Sequence, residues 1–259
     1  MIILFSGTGN TRYCAEKISQ YLGDTIMEVS GKELSSPEHC HIAMPDGDNR
    51  IIWMFPVYSW GIPVSLRNLM EKATITGGDD NVTHWMICTC GDDIGHTPNL
   101  WRRTMRRRNF KTATAFSVTM PNTYVFMKGF DVDNSDVESR KIAAANTQLQ
   151  HITETIASGK TVPDEVTPGS FAAIKTAIIR LYFNAFCTSP KPFRATDTCI
   201  GCGKCATACP MGNISIVDKH PQWGKQCLMC TRCYHICPAH AIAYGKTTTG
   251  KGQYRRFLK

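Results

Sequence analysis

The chain has 259 residues, 42% of them hydrophobic, with 29 Lys/Arg against 21 Asp/Glu and a formal net charge of +8. That length suits one and a half to two domains with a sizeable core, and the composition excludes a disordered or fibrous chain. No apolar run reaches the roughly 18–20 residues of a membrane-spanning helix, and the 13 cysteines sit mostly in two C-terminal runs, unlike a secreted disulfide pattern.

The opening MIILFSG has no basic segment and no cleavage site, so 2–5 reads as a buried strand rather than a leader, and the expected location is the cytoplasm. FSGTGNT follows, and a helix is expected over 11–22. Ser6, Thr8, Asn10 and Thr11 offer side-chain donors. Gly7 and Gly9 let backbone N–H groups close around an anion at the positive end of that helix. No Gly-Lys-Ser/Thr follows, against a magnesium P-loop, and Arg12 stands where a dinucleotide fingerprint has its third glycine. The hydroxyl-rich form suits a single terminal phosphate.

Residues 51–57 and 85–90 are apolar enough to be central strands buried on both faces, and 112–120 reads as another strand stopped by Pro121. PVYSWGIP at 56–63 and TCGDDIG at 89–95 then fall at strand carboxyl ends, where open α/β sheets bind ligands. Cys14, Cys88 and Cys90 read as small core residues. Five arginines within 102–108 read as a solvated helix terminus or as a docking site for an acidic partner; no nucleic-acid motif accompanies them. A long helix is expected over Ser135–Ala157, closed by Gly159 and Pro163. Together these elements predict a doubly wound parallel α/β sheet of five strands, order 2-1-3-4-5.

SGKTVPDEVTPGS, 158–170, reads as a linker. In 171–186, Phe171, Ile174, Ile178, Leu181 and Ala185 share one helical face, with Ile179 and Phe183 on the other side. This segment is expected to pack two domains together rather than lie on a membrane surface. The expected organisation is an α/β domain over 1–158, a linker and packing helix over 159–195, a small α+β domain over 196–245 and a basic tail over 246–259. The tail either packs across the domain interface or presents a docking strip.

CIGCGKCATACP at 199–210 recurs as CLMCTRCYHICP at 227–238, offset by 28 residues. Each run reads C-x2-C-x2-C-x3-C-P. Three thiolates spaced by two residues wrap one face of a cubane cluster, and the fourth reaches the other cluster. Cys199, Cys202, Cys205 and Cys237 are thus expected to hold one [4Fe–4S] cluster, and Cys227, Cys230, Cys233 and Cys209 the second. A zinc site gives no reason for the third cysteine and the proline. The segment resembles the two-cluster bacterial ferredoxins over about 196–244.

The N-terminal loop, with its Ser/Thr-x-Thr-Gly-x-Thr form, resembles the FMN phosphate loop of the flavodoxins, a likeness covering 1–158. It implies FMN bound by Ser6, Thr8, Gly9, Asn10 and Thr11, and by Pro56, Val57, Tyr58, Trp60, Gly61, Thr89, Cys90, Gly91 and Asp92 of the two later loops. Tyr58 and Trp60 are the candidates for stacking on the ring, Trp60 first; both otherwise cap the sheet edge. Tyr124 either folds over the second face or packs as core. The whole chain resembles flavodoxin–ferredoxin fusion proteins (EFR1-type), which implies electron transfer between two clusters and FMN in an anaerobic cytoplasm, with redox proteins, acidic ones among them, as partners. The alternative is an FMN-dependent oxidoreductase that reduces a small acceptor such as a quinone or nitro compound. No residue stands out as a catalytic acid or base, and no second nucleotide motif supports direct NAD(P)H oxidation.

Overall fold

A computed structural model describes residues 1–78 and 81–258; the expected basic tail, 246–259, ends at Lys259, outside the described residues. Five parallel strands form the main sheet: β1 Ile2–Leu4, β2 Ile26–Glu28, β3 Arg50–Pro56, β4 Thr83–Cys90 and β5 Lys111–Thr119. Their order is β2-β1-β3-β4-β5, as expected, with Ile2 paired to both Ile26 and Ile52. This is a flavodoxin-like α/β fold.

Alternation along the strands builds two apolar layers. Ile2, Leu4, Ile52, Met54, Trp85 and Ile87 pack under α1 (Asn10–Leu22) and α4 (Ser135–Ala157), against Cys14, Ile18, Leu149 and Ile152. Ile3, Phe5, Trp53, Phe55, Met86 and Cys88 pack under α2 (Val64–Lys72) and α3 (Thr97–Arg106), against Leu66, Leu69, Trp101 and Met105. Cys14, Cys88 and Cys90 are buried, as expected of small core residues. A parallel pair, His41–Met44 with Thr74–Gly77, lies outside the main sheet.

The 158–170 segment is no loose connector. Glu165 accepts from Ser117 N–H and donates to Ala115 O along edge strand β5, and Thr167 N–H reaches Ser117 Oγ. An edge strand's free peptide groups need partners, and this segment provides them. The arginine run is also largely structural: Arg102 bonds Ala113 O and pairs with Asp164, Arg107 pairs with Glu71, and Arg108 bonds Met70 O.

The small C-terminal unit pairs Phe193–Ala195 with Ile242–Tyr244 and Ile214–Val217 with His220–Trp223, both antiparallel. Its core takes in Val125 and Phe126 from beyond β5; Phe126 meets Phe193 and Tyr244 at 4.9 Å between ring centroids. The two units therefore share a core.

The expected packing face of the 171–186 helix is wrong. The helical run 172–186, α5, has a wider π-type turn over Lys175–Ile179. Phe171, Ile174, Ile178, Leu181 and Ala185 face solvent. Polar contacts decide the orientation instead. Thr176 Oγ1 accepts from His96 N–H and donates to Trp60 O, while buried Arg180 donates to Thr176 O and packs on Gly61. The tail, in contrast, does pack between the units. Tyr254 donates to Asn10, Arg255 to Cys237 O and Arg256 to Glu138.

Candidate functional site

After β1 the chain turns through a buried loop, with Gly9 left-handed (φ 96°) directly before α1. Among the described residues, none of the backbone N–H groups of residues 7–11 reaches a protein acceptor. Buried, unpaired N–H groups at the start of a 13-residue helix are costly unless an anion takes them. The loop side chains have other employment. Ser6 Oγ accepts from Arg12 N–H, Thr11 bonds Thr89 at 2.8 Å, and Thr8 bonds Thr123 at 3.3 Å. Asn10 donates to Pro121 O at 2.9 Å and accepts from Tyr254 Oη at 2.6 Å. These side chains hold the loop, and the peptide N–H groups of residues 7–11 are donors without a protein acceptor among the described residues.

A cavity of about 550 Å³ opens beside this loop, within the size range of cofactor sites. Thr8, Asn10, Thr11, Pro56, Val57, Tyr58, Trp60, Thr89, Cys90, Gly91 and Asp92 line it. Three nominated residues do not. Ser6 is buried behind the loop, Gly9 lies against Phe257 O, and Gly61 lies against Arg180. Ser59 and Trp60 are consecutive left-handed residues (φ 47° and 55°), a strained pair of the kind found at ligand clamps. Lys175 Nζ stands 5.3 Å from the Trp60 ring and 2.5 Å from Asp93 Oδ2. Ser59 Oγ and Asp93 Oδ1 are buried in this wall with no hydrogen-bond partner among the described residues. Gly91 leaves no room for a Cβ beside Asn122, which Asp133 holds through its side chain and peptide N–H. Tyr58 turns its hydroxyl toward Gly7, and its ring stands perpendicular to that of Phe5 at 6.2 Å. Tyr124 does line the cavity, in an edge-on cluster with Phe126, Phe130 and Phe183. Burial pushes the Cys90 thiol up to about 12, leaving it protonated.

Sequence reasoning missed the walls that come from afar: Asn122 and Thr123, Met127 and Phe130, Lys175, Ile179 and Phe183 of α5, and Met229, Cys230 and Thr231. No local pattern marks those of α5 and of 229–231, because their role arises only when these later segments pack against the sheet domain.

The two cysteine runs form two hollows. One is lined by Cys199, Cys202, Cys205 and Cys237. The other is lined by Cys209, Cys227, Cys230 and Cys233. The fourth cysteine of each run stands with the other run's three. Backbone geometry repeats too: Gly201 and Gly203 are left-handed, and so are Met229 and Thr231, 28 residues on. Cys209 and Cys237 Sγ each accept an N–H from four residues downstream, Asn213 and Ala241. Burial pushes Cys227 up to about 11 and Cys230 to about 12, so stable thiolates there require cationic metal. Among the described residues no three His, Cys, Asp or Glu side chains converge as on a single ion. A four-iron cube holds its thiolates apart at its corners, and four cysteines around each hollow are the donor set that group takes.

Cys230 lines both the second hollow and the 550 Å³ cavity. A Cβ on Gly7 would lie 3.2 Å from Cys230 Cβ, and Arg232 donates to Gly7 O at 3.2 Å. Cys202, of the other hollow, is exposed.

Residues 191–242 match the family described as a 4Fe-4S dicluster domain. No curated protein matches the chain. Among solved structures, a Bacteroides uniformis protein classed as a flavoprotein aligns at 15% identity and TM-score 0.33, over 46% of this chain and 90% of that one. A second such protein, from Bacteroides eggerthii, aligns at 17% and 0.32, over 44% and 85%. Rubredoxin oxygen:oxidoreductase from Desulfovibrio gigas aligns at 14% and 0.30, over 60% of this chain and 36% of that one. At such scores the fold assignment rests on the strand order itself. The chain joins a flavodoxin-like α/β domain to an iron–sulfur module of the 4Fe-4S dicluster kind.

Proposed function

We propose that this is an electron-transfer protein in which two [4Fe–4S] clusters and FMN stand in series. The observation that carries the proposal is Cys230, whose side chain is wall to both a cluster hollow and the large cavity. Cys199, Cys202, Cys205 and Cys237 would hold the outer cluster, and Cys209, Cys227, Cys230 and Cys233 the inner one. The peptide N–H groups of residues 7–11 would take the phosphate, with Trp60 and Tyr124 as the aromatic walls for the ring. Bound clusters exchange single electrons and a flavin takes one or two, so the chain would match one-electron carriers to a two-electron centre. The protein's part is to hold these sites at fixed separation, to exclude water with Phe126, Phe183 and Met229, and to leave the outer site near the surface at Cys202 for a ferredoxin-like donor.

A second reading, reduction of a small acceptor, is favoured by one feature: the partnerless Ser59 Oγ and Asp93 Oδ1 beside Lys175, polar groups available to a bound substrate.

The test is anaerobic mixing of the reconstituted chain with a reduced low-potential ferredoxin, and separately with NADPH, following flavin absorbance and cluster EPR. The expected result is that ferredoxin bleaches the flavin after cluster signals appear, while NADPH alone leaves it oxidised. Failure of the chain to retain flavin, or rapid bleaching by NADPH alone, overturns the series.

A further inference from the structure

Trp223 forms part of the wall of the hollow lined by Cys209, Cys227, Cys230 and Cys233. Its backbone is held by antiparallel pairing with Ile214, and its ring stacks on Phe193, 5.1 Å between centroids and 11° between planes. The indole Nε1 is buried and makes no hydrogen bond among the described residues. A buried N–H gives up its hydration and recovers nothing unless it finds an acceptor, so an orphaned donor in a site wall points to a partner outside the polypeptide.

The other polar side chains of this hollow are committed or stand in water. Asn213 donates to Gly224 O and accepts from Gln226 N–H, Thr231 donates to Cys230 O, and Gln226 is exposed. The sulfurs differ too. Cys209 accepts from Asn213 N–H and Cys227 from Met229 N–H, whereas for Cys233 the donor that bears on the sulfur is the Trp223 indole.

The internal repeat makes the two cluster sites comparable. Ile214 and Ile242 correspond by the 28-residue offset; Trp223 stands across from Ile214, and Ala195 across from Ile242. One site therefore has an indole where its sister has a methyl group. Beyond its cysteines, the polar side chains of the outer hollow are Lys204 and Lys219, both exposed.

We propose that Trp223 Nε1 donates a hydrogen bond to a sulfur of the inner cluster and raises the reduction potential of that cluster alone. This rests on the reading that the four cysteines hold a [4Fe–4S] group, and not on what fills the 550 Å³ cavity. A thiolate-ligated cluster becomes more negative on reduction, and its sulfurs share the added charge. A donor held beside one of them stabilises the reduced form more than the oxidised form. Burial keeps water from competing for the N–H, and the Phe193 stack sets the ring plane. The indole thus acts on the cluster whose ligand Cys230 also walls the large cavity.

The test is Trp223→Phe in the reconstituted, full-length chain, which keeps an aromatic ring beside Phe193 and removes the donor. Both cluster midpoints are measured by anaerobic potentiometric titration followed by EPR. One midpoint is expected to fall, disfavouring reduction by about tenfold, or about 59 mV for a one-electron couple, while the other stays in place. A ring that merely shields the cluster predicts the opposite sign, since water admitted beside the smaller side chain favours the more charged, reduced form. Iron content and circular dichroism confirm that the variant is loaded and folded. A wild-type measurement covers a variant that fails to load. In the chain labelled with indole-¹⁵N tryptophan, the reduced cluster is expected to show nitrogen hyperfine coupling in pulsed EPR, and Trp223 is the tryptophan that lines a cysteine hollow. Unmoved midpoints in Trp223→Phe, a shift of both, an upward shift, or absence of the coupling overturns the inference. A wild-type chain that reconstitutes without any cluster EPR signal overturns the cluster reading itself, and the inference with it.

Discussion

Tyr254 shows how a single distant side chain fixes the anion loop. Its hydroxyl donates to Asn10 Oδ1 at 2.6 Å, which turns the Asn10 amide toward Pro121 O and holds residues 7–11 at the cavity edge. Tyr254→Phe removes that donor and strands a buried acceptor, a loss of roughly 1–3 kcal/mol. If the loop binds phosphate, FMN affinity should fall by about tenfold with iron content unchanged; titration of flavin fluorescence against the apo-flavin protein checks this, and unaltered affinity would remove the tail from the site. His84 makes a different prediction. It is buried between strands, accepts from Trp53 Nε1 at 3.0 Å and stacks on Phe110. Burial, then the nearby Arg108 cation, lowers it from 6.5 to about 4. Above pH 6.5 both folded and unfolded chains carry it neutral. Below that value the unfolded chain takes a proton the folded one refuses, so stability falls with pH until about 4. Between about pH 7 and about pH 5.5, where only part of this window is crossed, the loss from His84 is roughly 1–1.5 kcal/mol. Urea midpoints measured across that interval should shift less in His84→Gln than in the wild-type chain.

Among the elements, legibility followed how locally each is determined. β3 and β4 were readable because a strand covered on both faces must be largely apolar, and the thiol sites because cluster geometry is written into the spacing of each run. β2 escaped: three residues long, half exposed, at the sheet edge, it carries no pattern. The loop after β1 was recognised, but its ties to Thr89, Pro121 and Thr123 were not, because those partners lie 78 to 115 residues away in sequence. α5 shows where periodicity misleads. Its apolar stripe is real, but a stripe does not say which side a protein covers. The opposite face is held by the Thr176 hydrogen bonds to His96 and Trp60, in loops about 80 to 120 residues earlier in the chain, and by Arg180 packed on Gly61. Met229 and Thr231 take the left-handed turns that glycines take in the first run, a backbone demand no composition rule anticipates. Lys175 and Phe183 are invisible as site residues for the same reason as Tyr254: only long-range docking brings them to the cavity.

At the scale of the molecule, the question is whether two modules are tethered or fused. A flexible tether would raise effective concentration but leave cofactor separation to chance. Here the 158–170 segment is pinned to β5, the tail spans from Cys237 O to Asn10, and Phe126 enters the C-terminal core beside Phe193 and Tyr244. Such an interface fixes the wall at Cys230 against Gly7 by packing. It should also make unfolding of the two modules one event, with backbone circular dichroism and visible cluster absorption lost in coincident transitions. Phe126→Ala tests this because the residue belongs to one module by sequence and to the other by contact. Truncation there empties a buried aromatic site, at a cost of roughly 3–5 kcal/mol, without touching a cysteine. The α/β sheet keeps both of its own layers in this variant, since Phe126 belongs to neither. The expected outcome is that cluster absorption is lost at lower urea than the helical signal of the sheet domain, two transitions in place of one. Coincident transitions in Phe126→Ala, merely shifted together, would mean that the tail and the 158–170 segment suffice to couple the modules without the shared core.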